Sequence, residues 1–269
     1  MHRLALLIVL WSSLAPAQKL VFAPLAKETV EARLRGFKRD NMEREATLRE
    51  LFQEAGCGPD RLKELPVKHE KPPNVLCVLP GSSDSVILVG AHFDHVSAGD
   101  GVVDNWSGAS LLPSLLQSTA IEPRKHTYIF IGFTGEEDGL VGSEAYAKSL
   151  RPEERSKIKA MVDIDSIGLS FTRVWVTRSD KNLVRELARM SQLMKLSVAE
   201  VDADRVGAGD SFSFQPYKIP VILIHSITQD TLRILHTSKD TLAAIRMDDY
   251  YDTYKLLVRY LLDLDNVLP

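Results

Sequence analysis

Apolar runs of strand length recur along this chain, and several of them end on histidine or acid. Val86-Ile87-Leu88-Val89 leads into Gly90-Ala91-His92-Phe93-Asp94, Tyr128 to Phe133 leads into Thr134-Gly135-Glu136-Glu137, and Met161-Val162 leads into Asp163-Ile164-Asp165. Between the runs lie stretches whose apolar residues recur at helical spacing. Strands this continuously apolar need cover on both faces, and strands alternating with amphipathic helices restrict the answer to an α/β sheet with helices on both sides. The pattern predicts strands over Asn74–Leu79, Ser85–Phe93, His126–Phe133, Ile158–Ile164, Arg173–Thr177 and Ile219–Ile224. It predicts helices over Ser107–Ser118, Ser143–Leu150, Lys181–Met194 and Met247–Leu262. Ahead of these, Lys27–Ala55 reads as one helix, with Val30, Leu34, Phe37, Met42, Leu48 and Leu51 on its spacing and Gly56 as its stop. A Pro- and Lys-rich connector, Glu64–Pro73, then leads to the first strand. No internal repeat interrupts the pattern, so residues 18–269 read as one domain.

The first seventeen residues read as a signal peptide: His2-Arg3, an apolar run from Leu4 to Leu14, then Ala15-Pro16-Ala17 as a small-x-small cleavage site. The run is too short for a stable membrane anchor, which needs roughly 20 residues. The expectation is therefore a secreted or periplasmic protein that begins near Gln18. A net charge of −3 without a dense basic stripe argues against a nucleic-acid partner. Cys57 and Cys77 are the only cysteines. Export permits a bridge between them, and without a CxxC spacing they do not make a structural zinc site.

In open α/β sheets, ligands bind beyond the carboxyl ends of the strands. The polar clusters fall there: His92 and Asp94, Glu136 and Glu137, Asp163 and Asp165, then His225 and His236 past the last strand. Alternation along a strand puts His92 and Asp94 on one face, so Asp94 can orient a metal-bound His92, while His95 faces away. Asp100 and Asp104 occupy a Gly-rich loop that lacks the EF-hand pattern of a calcium site. Asp104 sits where it can cap the next helix or lie between two cations, and its position fits both. Consecutive acids at Glu136, Glu137 and Asp138 repel unless solvated or neutralised. One glutamate of such a pair can bind metal while the other moves a proton. Asp163 and Asp165 share a face, so alternation does not choose between them. His126 and His225, at the two ends of strands, read as core or edge residues. Two imidazoles and three carboxylates, one of them shared, suit a pair of zinc ions better than manganese or cobalt.

The segments GAHFDHV, DGVVDNWSGAS, FTGEEDGLVGSEAYA, DIDSIG and HTSKDT, in this order from Gly90 to Thr241, resemble the secreted di-zinc aminopeptidases of the zinc exopeptidase superfamily. Glutaminyl cyclases and transferrin-receptor-like domains are relatives in that group. The resemblance implies a single-domain, mixed but mostly parallel sheet of the phosphorylase/hydrolase-like type. It implies His92, Asp104, Glu137, Asp165 and His236 as ligands of two zinc ions, with Asp104 shared between them. It implies Glu136 as the general base acting on a metal-bound water and keeps Asp94 as the orienter. Asp165 is preferred to Asp163 because it precedes Ser166-Ile167-Gly168, matching the family's Asp-x-x-Gly segment. The implied substrates are peptides with a free N-terminus. Two alternatives accompany this reading, a glutaminyl cyclase using one zinc and a receptor-like domain without catalysis. Two departures stand out. Trp106 replaces a small residue, with the expected effect of narrowing the pocket mouth, and Ser211 stands where an Asp-His pair would carry its histidine.

Overall fold

The computed structural model describes residues 23–120, 123–202 and 207–269. The signal peptide expected over residues 1–17 lies outside these. Eight strands form one mixed sheet in the order β1-β2-β4-β3-β5-β8-β6-β7. They are β1 (Leu62–Leu65), β2 (Asn74–Leu79), β3 (Val86–His92), β4 (Thr127–Phe133), β5 (Ile158–Ile164), β6 (Arg173–Trp175), β7 (Ala199–Val201) and β8 (Val221–His225). The central strands β4, β3, β5 and β8 run parallel, whereas β1 and β2 on one side and β6 on the other join antiparallel. The helices are α1 (Lys27–Arg35), α2 (Asn41–Glu54), α3 (Ser107–Ala109), α4 (Leu111–Thr119), α5 (Val141–Ser149), α6 (Pro152–Lys157), α7 (Lys181–Met194) and α8 (Met247–Val267). Among the described residues, no helix is long and apolar enough to cross a membrane.

Alternation along the strands builds two cores. Ile87, Val89 and Ala91 of β3 and Val162 and Ile164 of β5 pack with Leu112, Leu115 and Leu116 of α4 and Leu257 and Leu261 of α8. Leu88 and Met161 point the other way, into a smaller cluster with Ile131, Phe133, Tyr146 and Phe214. Cover on both faces is what the continuous apolar runs demanded.

Three local readings change. The stretch Lys27–Ala55 is two helices, because Gly36 closes the carbonyls of α1 and the Asp40 carboxylate caps α2 by accepting from the N–H groups of Met42 and Glu43. Part of the connector before β2 is itself a strand: β1, carrying Lys63 and Glu64, pairs antiparallel as a charged sheet edge, which protects the edge from further pairing. The short strand β7 lies where no strand was expected. The bridge between Cys57 and Cys77 is present and ties the end of α2 to β2.

Candidate active site

Four parallel strands end on one edge of the sheet, and their ends deliver the polar residues. His92 closes β3, Glu136 and Glu137 follow β4, Asp165 follows β5, and His225 closes β8. Asp104 arrives on the loop between β3 and α3, and His236 on the loop after β8.

Asp104 lies between the two histidines. Its Oδ1 is 3.2 Å from His92 Nε2, and its Oδ2 is 3.1 Å from His236 Nε2. Asp165 Oδ1 is 3.6 Å from His92 Nε2, and Glu137 Oε2 is 3.0 Å from His236 Nε2. His92, Asp104 and Asp165 therefore form one group able to hold a metal ion, and Asp104, Glu137 and His236 a second. Glu136 lies beside the first group, its Oε2 3.9 Å from His92 Nε2, and could complete a third set with His92 and Glu137. Asp104 makes no helix cap, since both of its oxygens are turned to the imidazoles.

Backbone contacts hold this arrangement. Asp240 accepts from the N–H groups of Val103 at 2.7 Å and Asp104 at 3.1 Å, fixing the loop on which Asp104 sits. Asn105 donates to the Ile164 carbonyl at 2.9 Å and accepts from the Ser166 N–H at 3.2 Å, locking that loop to the end of β5. Gly108 allows the approach, because a Cβ there would lie 2.4 Å from the Ile164 carbonyl oxygen. Gly168, at φ +98°, turns the chain away after Asp165. The buried Arg44 donates to the carbonyls of Phe93, Asp100 and Gly101 and holds both ends of the β3 loop. HTSKDT contained Asp240, but nothing local to the sequence revealed its long-range acceptor role, nor the donor role of Arg44.

Asp94 reaches His92 Nδ1 more closely with its backbone carbonyl, at 3.1 Å, than with its carboxylate, at 3.5 Å. The carboxylate accepts from the N–H groups of Glu136 and Glu137, each at 3.2 Å. It thus sets the turn that presents both glutamates. Asp163 is buried and accepts from the Ser211 N–H at 2.7 Å, apart from the two metal-capable groups that contain Asp104. Trp106 does not narrow the pocket mouth. It is fully buried, its Nε1 donates to the Arg33 carbonyl, and Arg44 lies over its ring, so the large residue fills core beneath the loop. His95 contacts the Arg39 carbonyl away from the cluster. His126 is clamped by Asp265 and is structural. His225 is buried at the end of β8, as expected, and also lines the cavity beside the cluster.

Burial and crowding shift the protonation of these groups. Burial, with the neighbouring Asp210, Asp165 and Asp104 charges, pushes the Glu136 carboxyl up to about 10 against the pull of His92. Burial and Asp104 raise Glu137 to about 7. The hydrogen bond that Asp104 accepts from its ring, with Glu137 nearby, raises His236 to about 9. Burial opposes charge on His92, yet Glu136, Asp104, Asp165 and Asp94 together hold it well above its ordinary value. Burial and Asp165 raise Asp163 to about 7.

This donor set fits metal. Among the described residues, His92 Nε2 and Glu137 Oε1 are buried without a hydrogen-bond partner, although the first is in contact with carboxylates. Buried polar atoms are rarely left so, and cations would satisfy both while neutralising the crowded acids. Imidazole and carboxylate ligands suit zinc.

The geometry defines a class, a cluster of nitrogen and oxygen ligands with a shared carboxylate at the carboxyl edge of an open α/β sheet. The chain belongs to peptidase family M28, whose profile matches residues 74–261. An aminopeptidase of Pseudomonas aeruginosa is 43% identical over 90 residues, a match that takes in 33% of this chain and 16% of that relative's own length. Two solved structures share the fold. A glutaminyl cyclase from an Acidobacteriales bacterium superposes with a TM-score of 0.78 at 20% identity, over 94% of this chain and 98% of its own. The LapA aminopeptidase of Legionella pneumophila superposes with a TM-score of 0.73 at 21% identity, over 93% of this chain and 78% of its own.

Proposed function

We propose that this chain is an exported aminopeptidase that holds two zinc ions and removes N-terminal residues from peptides. His92, Asp104 and Asp165 would hold one ion, and Asp104, Glu137 and His236 the other. When bound, the pair of zinc ions would polarise the scissile carbonyl and make water acidic enough to attack at neutral pH. The observation that carries the reading is the pair of Asp104 contacts, 3.2 Å to His92 and 3.1 Å to His236, from opposite oxygens of one carboxylate.

Glu136 is the proton-transfer residue in this proposal. Ionised once bound cations offset the burial and the neighbouring acids that raise it, its carboxylate takes a proton from the attacking water and returns it to the nitrogen of the departing amine. Asp94 orients it by fixing the N–H groups of Glu136 and Glu137, so one acid faces the histidine pair while its neighbour stays beside the reacting bond. The walls of a cavity of about 1130 Å³ next to the cluster would enclose the first residue of the peptide. The disulfide and the leader-like first residues support export.

The closer overlap with the Acidobacteriales glutaminyl cyclase favours a second reading, cyclisation of N-terminal glutamine with one zinc. The five metal-facing side chains exceed what one ion needs, which favours hydrolysis. A receptor-like role would leave Glu136 without a task. A panel of aminoacyl amides assayed after zinc loading tests the reading. Hydrolysis abolished by chelation and restored by zinc is expected. Cyclisation of glutaminyl substrates without hydrolysis of any amide would overturn it.

A further inference from the structure

The cavity extends sideways from the metal cluster, over the ends of β8 and β6. Three residues stand in a row there. Asp165 N–H donates to the Ile224 carbonyl, which places Asp165 beside His225, and Arg173 of β6 pairs in register with His225. Adjacent strands are about 4.8 Å apart, so the Arg173 backbone lies roughly 10 Å from that of Asp165. That interval matches the reach of one amino-acid side chain or one short peptide residue.

Both side chains offer hydrogen-bond donors that are not used among the described residues. The Ile227 N–H donates to His225 Nδ1 at 3.1 Å, so Nδ1 carries no proton and the ring presents an N–H at Nε2. That Nε2 is buried and has no partner among the described residues, although the residue lines the cavity and is only 3% exposed. Arg173 spends Nε on Ser170 Oγ at 3.2 Å and lays its guanidinium over the Phe171 ring, 5.0 Å from the centroid. Among the described residues its two terminal nitrogens have no acceptor and no acidic partner. The other acids on this wall do not compete for it: Asp202 is reached by Thr177 Oγ1, and Asp230 is exposed at the rim. Leu223, Trp175 and Ile227 supply apolar walls around the pair. A guanidinium fork beside an imidazole N–H, in an apolar recess, matches a planar two-oxygen anion.

We propose that Arg173 and His225 form a subsite for a carboxylate of the substrate, held one residue away from the scissile bond. This deepens the aminopeptidase reading and rests on it for the position of that bond. The carboxylate has two sources, the side chain of an acidic first residue or the C-terminus of a dipeptide.

Paired substrates separate them. Glutamyl and glutaminyl p-nitroanilides differ only in the side-chain charge, and leucylglycine and leucylglycinamide differ only at the C-terminus. The member with the carboxylate in one of the pairs is expected to have a kcat/KM about 10- to 100-fold higher, the worth of hydrogen bonds to a charged group. Arg173→Gln should bring that ratio close to one, and His225→Phe should reduce it in part. Calorimetry of free glutamate and glutamine binding to the zinc-loaded protein gives a readout independent of turnover. A glutamate preference that Arg173→Gln removes, in a protein that hydrolyses nothing, keeps the subsite and overturns the peptidase reading. Hydrolysis with no carboxylate preference in either pair overturns the subsite and keeps the peptidase. Absence of both hydrolysis and preference overturns both.

Discussion

His92 and His236 stand on either side of Asp104, yet the first has 2% of its side chain exposed and the second 55%. His92 closes a central strand that is hydrogen-bonded on both sides, and its ring is fixed by the Asp94 carbonyl. His236 sits on a loop in left-handed backbone, at φ +56°, and no hydrogen bond holds its other nitrogen among the described residues. The same imidazole–carboxylate contact is therefore built on a rigid element in one half and on a loop in the other. Side chains fixed by regular structure lose less entropy when they bind, so the His92 half is expected to hold its ion more tightly.

The largest effect concerns the residue beside the buried half. Glu136→Gln should keep the zinc content and lower kcat by a factor of roughly 10²–10⁴, the usual worth of a placed acid–base group. Glu137→Gln should instead lose zinc from the exposed half. Zinc analysis alongside the rates checks both, and a zinc-poor Glu136→Gln with a zinc-replete Glu137→Gln would exchange the two roles.

Removing the histidines one at a time sharpens the comparison. His236→Ala should give a folded protein that retains the tighter ion, with the weaker site reduced at least about tenfold, as for loss of a strong polar contact. His92→Ala should lower thermal stability as well, because it empties a buried site among acids. Equal zinc loss and equal stability in the two variants would remove the asymmetry argued here.

A smaller effect distinguishes the two aspartates at the end of β5. Asp163→Asn should cost stability, about 1–3 kcal/mol for a disturbed buried acceptor, with little change in zinc binding. Asp165→Asn should weaken the buried-half site and leave the fold intact. Zinc titration of the two folded variants checks this, and normal two-site binding by Asp165→Asn would refute its assignment.

The smallest effect is a pH dependence of the exposed half. Folding raises His236 from 6.5 to about 9, so its contribution to the zinc-free protein is complete below about 6.5 and is lost as pH rises through about 9. Zinc needs the neutral ring, so affinity at this site should rise over the same window. Denaturation and zinc titrations between these limits should therefore move in opposite directions. Parallel changes would show that another group dominates.

The contrast between rigid and loop-borne elements also decides what could be read from sequence. The apolar runs revealed the central strands and the edge on which they end, since a buried parallel strand has few alternative compositions. His92, Glu136, Glu137 and Asp165 were visible because they follow those runs directly. The rest depended on contacts between distant segments. Alternation left Asp163 and Asp165 equivalent, and only the resemblance and the end of β5 separated them. Asp240 and Asn105 act through backbone groups far away in the chain, which leaves no periodic signal. Trp106 looked like a pocket residue because its neighbours are site residues, yet a tryptophan beside Arg44 and the Arg33 carbonyl is better satisfied inside. Lys27–Ala55 kept helical spacing across Gly36 and Asp40, so periodicity concealed the break between α1 and α2.

The central claim is that one carboxylate, Asp104, serves two ions. Calorimetric zinc titration of the chelator-stripped wild-type protein, with Asp104→Asn as its partner, tests it most directly. The expected result is two sites of unequal affinity in the wild type, both weakened by the single substitution. One site in the wild type, or loss of only one of two sites in Asp104→Asn, would contradict it.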